Sequence, residues 1–131
     1  ELRTQKLVDQ FNEFIVLDTV HANGKLTLGE NIADLGGLNI SYQALQLAKT
    51  GEEENIAGFT PEQRFFLAYA HVWGQNIRDE EILRRTKVDV HSLGEFRVNG
   101  PLPNMPEFYA AFDIQEGDPM YYAAEKRAVI W

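Results

Sequence analysis

A chain of 131 residues with 44% apolar side chains makes one small domain, able to bury roughly two thirds of the surface its unfolded form exposes. Twenty acidic and twelve basic side chains leave a net charge of −8, which argues against nucleic acid or an anionic membrane as partner, since both demand clustered Lys and Arg. The absence of cysteine excludes disulfides and thiolate metal sites, and neither a membrane-length apolar run nor a signal-peptide pattern is present.

Leu7, Phe11, Phe14 and Ile15 recur at i, i+4, i+7 and i+8, which predicts a first helix over about 2–17. It opens at Glu1-Leu2-Arg3 with neither a start methionine nor a capping residue, so the chain reads as a C-terminal fragment cut inside a helix. A turn at Asn23-Gly24 leads to a second helix over 29–49. Between Gly29 and Ala48 the only charged side chains are Glu30 and Asp34, set among Ile32, Leu35, Leu38, Ile40, Leu45 and Leu47, which predicts a helix buried on most sides. Gly51 to Asn55 reads as a solvated acidic loop. Thr60-Pro61-Glu62-Gln63 then starts a third helix, with Thr60 as N-cap and Gln63 reaching back. Its Phe66, Tyr69, Ala70, Trp73 and Ile77 form a core-facing stripe. A short helix over 79–86 follows, then an irregular stretch over 88–103. A last helix, capped by Asn104 with Glu107, runs to Phe112, and the tail has no clear period. The fold is therefore expected to be mainly α, helices plus irregular loops, with residues 1–131 as a single domain. Ten glycines and the apolar helix around Ile32 to Ala48 suggest a surface made to meet another part of a larger protein, exposed here as an apolar patch.

Two constellations carry chemistry. Glu30 and Asp34, one helical turn apart, point to one side. A buried carboxylate must meet a cation, a metal or a set of donors, so the pair suits a metal ligand and a supporting carboxylate. Two plainer roles compete: a Glu30 that simply suits the helix dipole, and an Asp34 that pairs with a buried arginine. In the second constellation Asp89 and His91 project to the same side of an extended stretch, where Asp89 could orient the imidazole. Arg97 adds a fixed cation able to grip a carbonyl oxygen. A single histidine near a glycine is more often an ordinary loop residue. His71 reads as packed or partly exposed and His21 as exposed.

Gly29-Glu30-Asn31-Ile32-Ala33-Asp34-Leu35-Gly36-Gly37-Leu38 closely resembles the zinc-ligand helix of the neprilysin family of metalloendopeptidases, which includes endothelin-converting enzyme and bacterial oligoendopeptidases. Asp89-Val90-His91-Ser92-Leu93-Gly94-Glu95-Phe96-Arg97-Val98 resembles the transition-state-binding segment of that family, and Tyr69-Ala70-His71-Val72-Trp73 the stretch lining its primed-side pocket. The final Trp131 matches too. The resemblance covers essentially the whole chain. Leu93 departs from it, standing where several relatives have proline, and Glu95 adds a negative charge beside the anion-stabilising groups.

The resemblance implies the C-terminal part of a zincin-type catalytic domain that hydrolyses oligopeptides. Glu30 would be the third protein ligand of a catalytic Zn²⁺, and Asp34 would orient a zinc-ligating histidine supplied by the missing N-terminal part of the same protein. His91 would stabilise the oxyanion with Asp89 holding its ring. Arg97 would bind a substrate carbonyl, while Val72 and Trp73 would line an apolar pocket. A zincin also needs H-E-x-x-H. Of His21, His71 and His91 no two are four apart, so two ligands and the general base must lie upstream and this chain alone should be inactive. A free-standing helical interaction or peptide-binding module that has lost catalysis is the alternative. Animal members carry disulfides, so the lack of cysteine points to a bacterial member, with the periplasm, cell envelope or medium favoured over the cytoplasm. No membrane contact is expected from this segment.

Overall fold

Residues 2–130 are described by a computed structural model. Glu1 and the chain-ending Trp131, on which the helix start and one feature of the resemblance depend, lie outside the described residues. Helix α1 (Leu2–Asn12) is followed by a hairpin of β1 (Ile15–Leu17) and β2 (Val20–His21). Then come α2 (Leu28–Ala48), α3 (Pro61–Val72), α4 (Asp79–Val88), α5 (Gly94–Asn99), a 3-10 turn over Leu102–Asn104, and α6 (Pro106–Phe112). The mainly helical expectation holds, with three local corrections.

The first helix stops at Asn12, five residues short of its predicted end. Leu7 and Phe11 are buried and Phe14 still packs on the core, but Ile15-Val16-Leu17 is a run rich in β-branched side chains that pairs with Val20 and His21 through a turn with Asp18 at φ 49°. The stretch 88–103, expected to be irregular, contains α5 and the 3-10 turn. Asn104 does not cap α6. It is buried, its amide nitrogen donates to Gln10 Oε1 and Gly100 O, and its Oδ1 accepts from the backbone N–H of Ala128. It thereby ties α1, the 3-10 turn and the tail together.

At the start of α3 the sequence and the structure agree closely: the Thr60 hydroxyl accepts from the Gln63 N–H while Gln63 Oε1 accepts from the Thr60 N–H. The core runs from Leu7 and Phe11 on α1 through Leu35 and Leu38 on α2, Phe66 on α3 and Phe96 on α5 to Leu102, Met105 and Phe108. Phe66 contacts Tyr42, Phe65 and Phe108 through stacked and edge-on rings, and Phe14 stacks on Phe96. The tail has no regular element, but Ala128 is buried and the Arg127 guanidinium lies 4.2 Å over the Tyr109 ring.

Helix α2 is not buried on most sides. Leu35 and Leu38 face the core, whereas Ile40 is 71% and Leu47 87% exposed, because α1 and the other elements of the chain cover one face only. Ile40 and Leu47 thus leave apolar area of α2 open to solvent. Among the described residues no helix is long and apolar enough to cross a membrane.

Candidate active site

Helix α2 supplies Glu30 and Asp34 from its first two turns, where negative charge is favoured by the helix dipole. Opposite lie the loop 89–93 and α5. Gly94 makes that approach possible: a Cβ there would stand 2.3 Å from the carbonyl oxygen of Trp73, so only glycine lets α5 begin against the end of α3. Leu93, just before it, has φ −58°, the value that a proline would impose, and packs on the core. The departure at this position therefore leaves the backbone where proline would hold it. Glu95 is exposed in the first turn of α5.

The two constellations, 60 residues apart in sequence, converge. Asp89 Oδ1 accepts from both the His91 backbone N–H (2.9 Å) and Nδ1 of its ring (2.8 Å). These two bonds hold the Asp89 carboxyl below the ordinary carboxylate range, the backbone N–H contributing most. With Nδ1 occupied, Nε2 turns toward α2 and lies 3.5 Å from Glu30 Oε2. Both side chains are open to solvent, His91 at 48% and Glu30 at 38% exposed. Among the described residues Glu30 forms no ion pair with Lys or Arg.

Asp34 is situated differently. Arg97 grips it through a two-pronged contact, Nε to Oδ2 and Nη2 to Oδ1, each 2.7 Å, with the two side chains only 13% and 10% exposed. The guanidinium also stacks 3.8 Å over the Trp73 ring, and the Tyr69 hydroxyl donates to the Arg97 carbonyl oxygen. Arg97 is held above the ordinary arginine range by its bonds to Asp34, and burial, with Asp34 nearby, pushes the Tyr69 phenol up. Asp34 and Arg97, expected to face a histidine and a substrate, thus spend two hydrogen bonds on each other. Each keeps capacity: the carboxylate has further lone pairs, and Nη1 of the guanidinium is not used in this pair.

Trp73 borders a shallow cleft of about 270 Å³ with Ala70, Gly94, Glu95 and Val98. Val72 lies elsewhere, 69% exposed on the outer face of α3, so the two residues of the expected pocket do not share one cavity. His71 and His21 are exposed, the latter with Nδ1 2.9 Å from the Asn12 carbonyl oxygen. Sequence reasoning missed one contact, the Ser92 hydroxyl donating to Oδ1 of buried Asn31 at 2.8 Å. Both lie next to residues already singled out, but their types alone give no sign of pairing. Among the described residues no three His, Asp or Glu side chains are grouped to hold a metal. A single open carboxylate without a cation of its own fits one ligand of a shared site.

Known proteins resemble this chain over most of its length. The family model for peptidase family M13 matches residues 1–128. Human neprilysin is 40% identical over 135 aligned residues, covering 98% of this chain and 18% of neprilysin, and an endothelin-converting enzyme homolog of Locusta migratoria is 43% identical, covering 90% of this chain and 17% of its own length. The chain thus spans about a fifth of these relatives. Among solved structures, the zinc metalloprotease Zmp1 of Mycobacterium tuberculosis in complex with an inhibitor superposes with a TM-score of 0.94 at 39% identity, over 99% of this chain and 21% of Zmp1. PepO from Lactobacillus rhamnosis superposes with a TM-score of 0.82 at 32% identity, over 99% of this chain and 19% of PepO. With 128 residues matched by one family model and the same backbone in two of its solved relatives, the chain belongs to peptidase family M13, the neprilysin family of metallopeptidases.

Proposed function

We propose that this chain is the part of a zinc endopeptidase that supplies one metal ligand and the groups gripping the substrate, while an H-E-x-x-H segment elsewhere in the whole protein supplies two histidines and the general base. The observation that carries this reading is the contrast between the two carboxylates of α2. Asp34 is neutralised by Arg97, whereas among the described residues Glu30 stays open and forms no ion pair with Lys or Arg, with Nε2 of His91 3.5 Å away. When bound, the zinc polarises the scissile carbonyl and acidifies water.

Every other role belongs to this chain's own side chains. Glu30 holds the metal. Asp34 uses a remaining lone pair to orient a ligating histidine, and Arg97 keeps that carboxylate ionised and in place. Asp89 fixes the His91 ring, so that Nε2, carrying a proton, donates to the negative charge that develops on the carbonyl oxygen of an oligopeptide. Nη1 of Arg97 binds a substrate carbonyl on the primed side, with Trp73 and Val72 forming apolar walls once the rest of the protein closes around them. The lack of cysteine, set against the disulfides of animal relatives, favours a bacterial member and leaves the compartment open.

In the whole protein, Glu30→Gln should lose zinc and peptidase activity together, by metal analysis and peptide hydrolysis on the same preparation. A variant that keeps its full zinc content and activity would overturn the assignment.

A further inference from the structure

We infer that Ser92 and Asn31 are positioning residues that set the reach of His91 toward Glu30, an assignment that rests on those two residues having the roles proposed for them. The 3.5 Å between His91 Nε2 and Glu30 Oε2 is too long for a hydrogen bond, and both side chains are partly solvated, so this contact does not fix its own distance. Asp89 cannot fix it either. Its bonds to His91 span two residues of the same loop, so they orient the ring relative to the loop and not relative to α2.

The tie across to α2 is made one residue further along on each side. Ser92, next to His91, donates its hydroxyl to Oδ1 of Asn31, next to Glu30, across 61 residues of sequence. Asn31 is 1% exposed and has no freedom to turn. Its Nδ2 donates to Thr27 Oγ1 at 3.0 Å, and the Thr27 hydroxyl donates to the Asn23 carbonyl oxygen at 3.1 Å. A buried amide with both ends bonded presents its acceptor in one direction. Ser92 is held there, and the adjacent His91 with it. The second cross-connection, Arg97 to Asp34, lies six residues beyond His91 on α5 and anchors the helix rather than the loop.

A double-mutant cycle in the whole protein tests this. Ser92→Ala should lower kcat about 10- to 100-fold, the upper end being the scale of an ångström-sized misplacement of a reacting group, with KM and zinc content unchanged. Ser92→Thr, which keeps the hydroxyl, should retain most of the activity. In a His91→Ala background the further Ser92→Ala change should cost less than about 2-fold, since a residue acting only through His91 has nothing left to position. Wild-type kcat in Ser92→Ala, or the same loss in both backgrounds, would overturn the positioning role while leaving the roles of Glu30 and His91 intact. An unchanged kcat in His91→Ala would instead overturn the catalytic reading of His91, and the positioning role with it.

Discussion

Arg97 has its charge claimed from two sides, by the Asp34 carboxylate in its plane and by the Trp73 ring against its face. A planar guanidinium serves both at once, which an ammonium cannot do. Removing one partner strands the other where water reaches it poorly, so Arg97→Ala should destabilise the fold by on the order of 3 kcal/mol. Asp34→Ala alone should cost a similar amount, and the double variant clearly less than the sum, a coupling that denaturant unfolding of the four proteins would measure. Additive losses would mean that the pair contributes through packing and not through its charges. The same pair marks the limit of what was legible at this scale. Residue type and spacing marked Glu30, Asp34, Asp89, His91 and Arg97 as candidates while the family resemblance supplied their roles, and a buried arginine was among the partners weighed for Asp34. Which arginine it would be, and that Ser92 would meet Asn31, depends on bringing positions about 60 residues apart together, and no local pattern encodes that.

Between elements, the end of α2 is fastened to the start of α3 by Lys49 and Glu62, which also brackets the acidic loop 51–55. The Lys49 ammonium holds the Glu62 carboxyl at about 2, against an ordinary value of 4.5, and Glu62 in turn raises Lys49. A carboxyl whose folded value is depressed contributes stability above its unfolded value and loses it as the pH falls through the folded one. The partners are partly solvated, so solvent screening keeps the contribution small at neutral pH. The Tm gap between wild type and Glu62→Gln should therefore be present at pH 7 and close between pH 4.5 and 2. A gap that persists at pH 2 would assign it to something other than the ion pair. Elements whose signals are local could be read beforehand: the Thr60 capping box and the long α2 lie within a residue of expectation. The missed elements were decided by tertiary contact. Phe14 and Ile15 continue the helical period of α1, yet the chain turns out into a hairpin that packs against α4, and α5 is a six-residue helix held in place by Gly94 against α3.

For the whole molecule, the decisive question is how much of a metal site one fifth of a peptidase can form. The core joins α1, α2, α3, α5, α6 and the tail, which gives Glu30 and His91 a fixed scaffold within this chain. Yet a catalytic zinc takes three protein ligands plus an open position, and among the described residues nothing brings three such side chains together. On the proposed reading Glu30 supplies one of those ligands and His91, 3.5 Å away, none, so the chain holds a half-site. Zinc titrated calorimetrically into this chain alone at neutral pH should therefore give weak or undetectable heat, and the chain alone should cleave no peptide. Tight binding of one ion per chain would overturn the half-site reading. It would require Glu30, His91 and a further ligand to rearrange into a site of their own: recruiting Asp34 would break its grip on Arg97, and recruiting Asp89 would release the His91 ring.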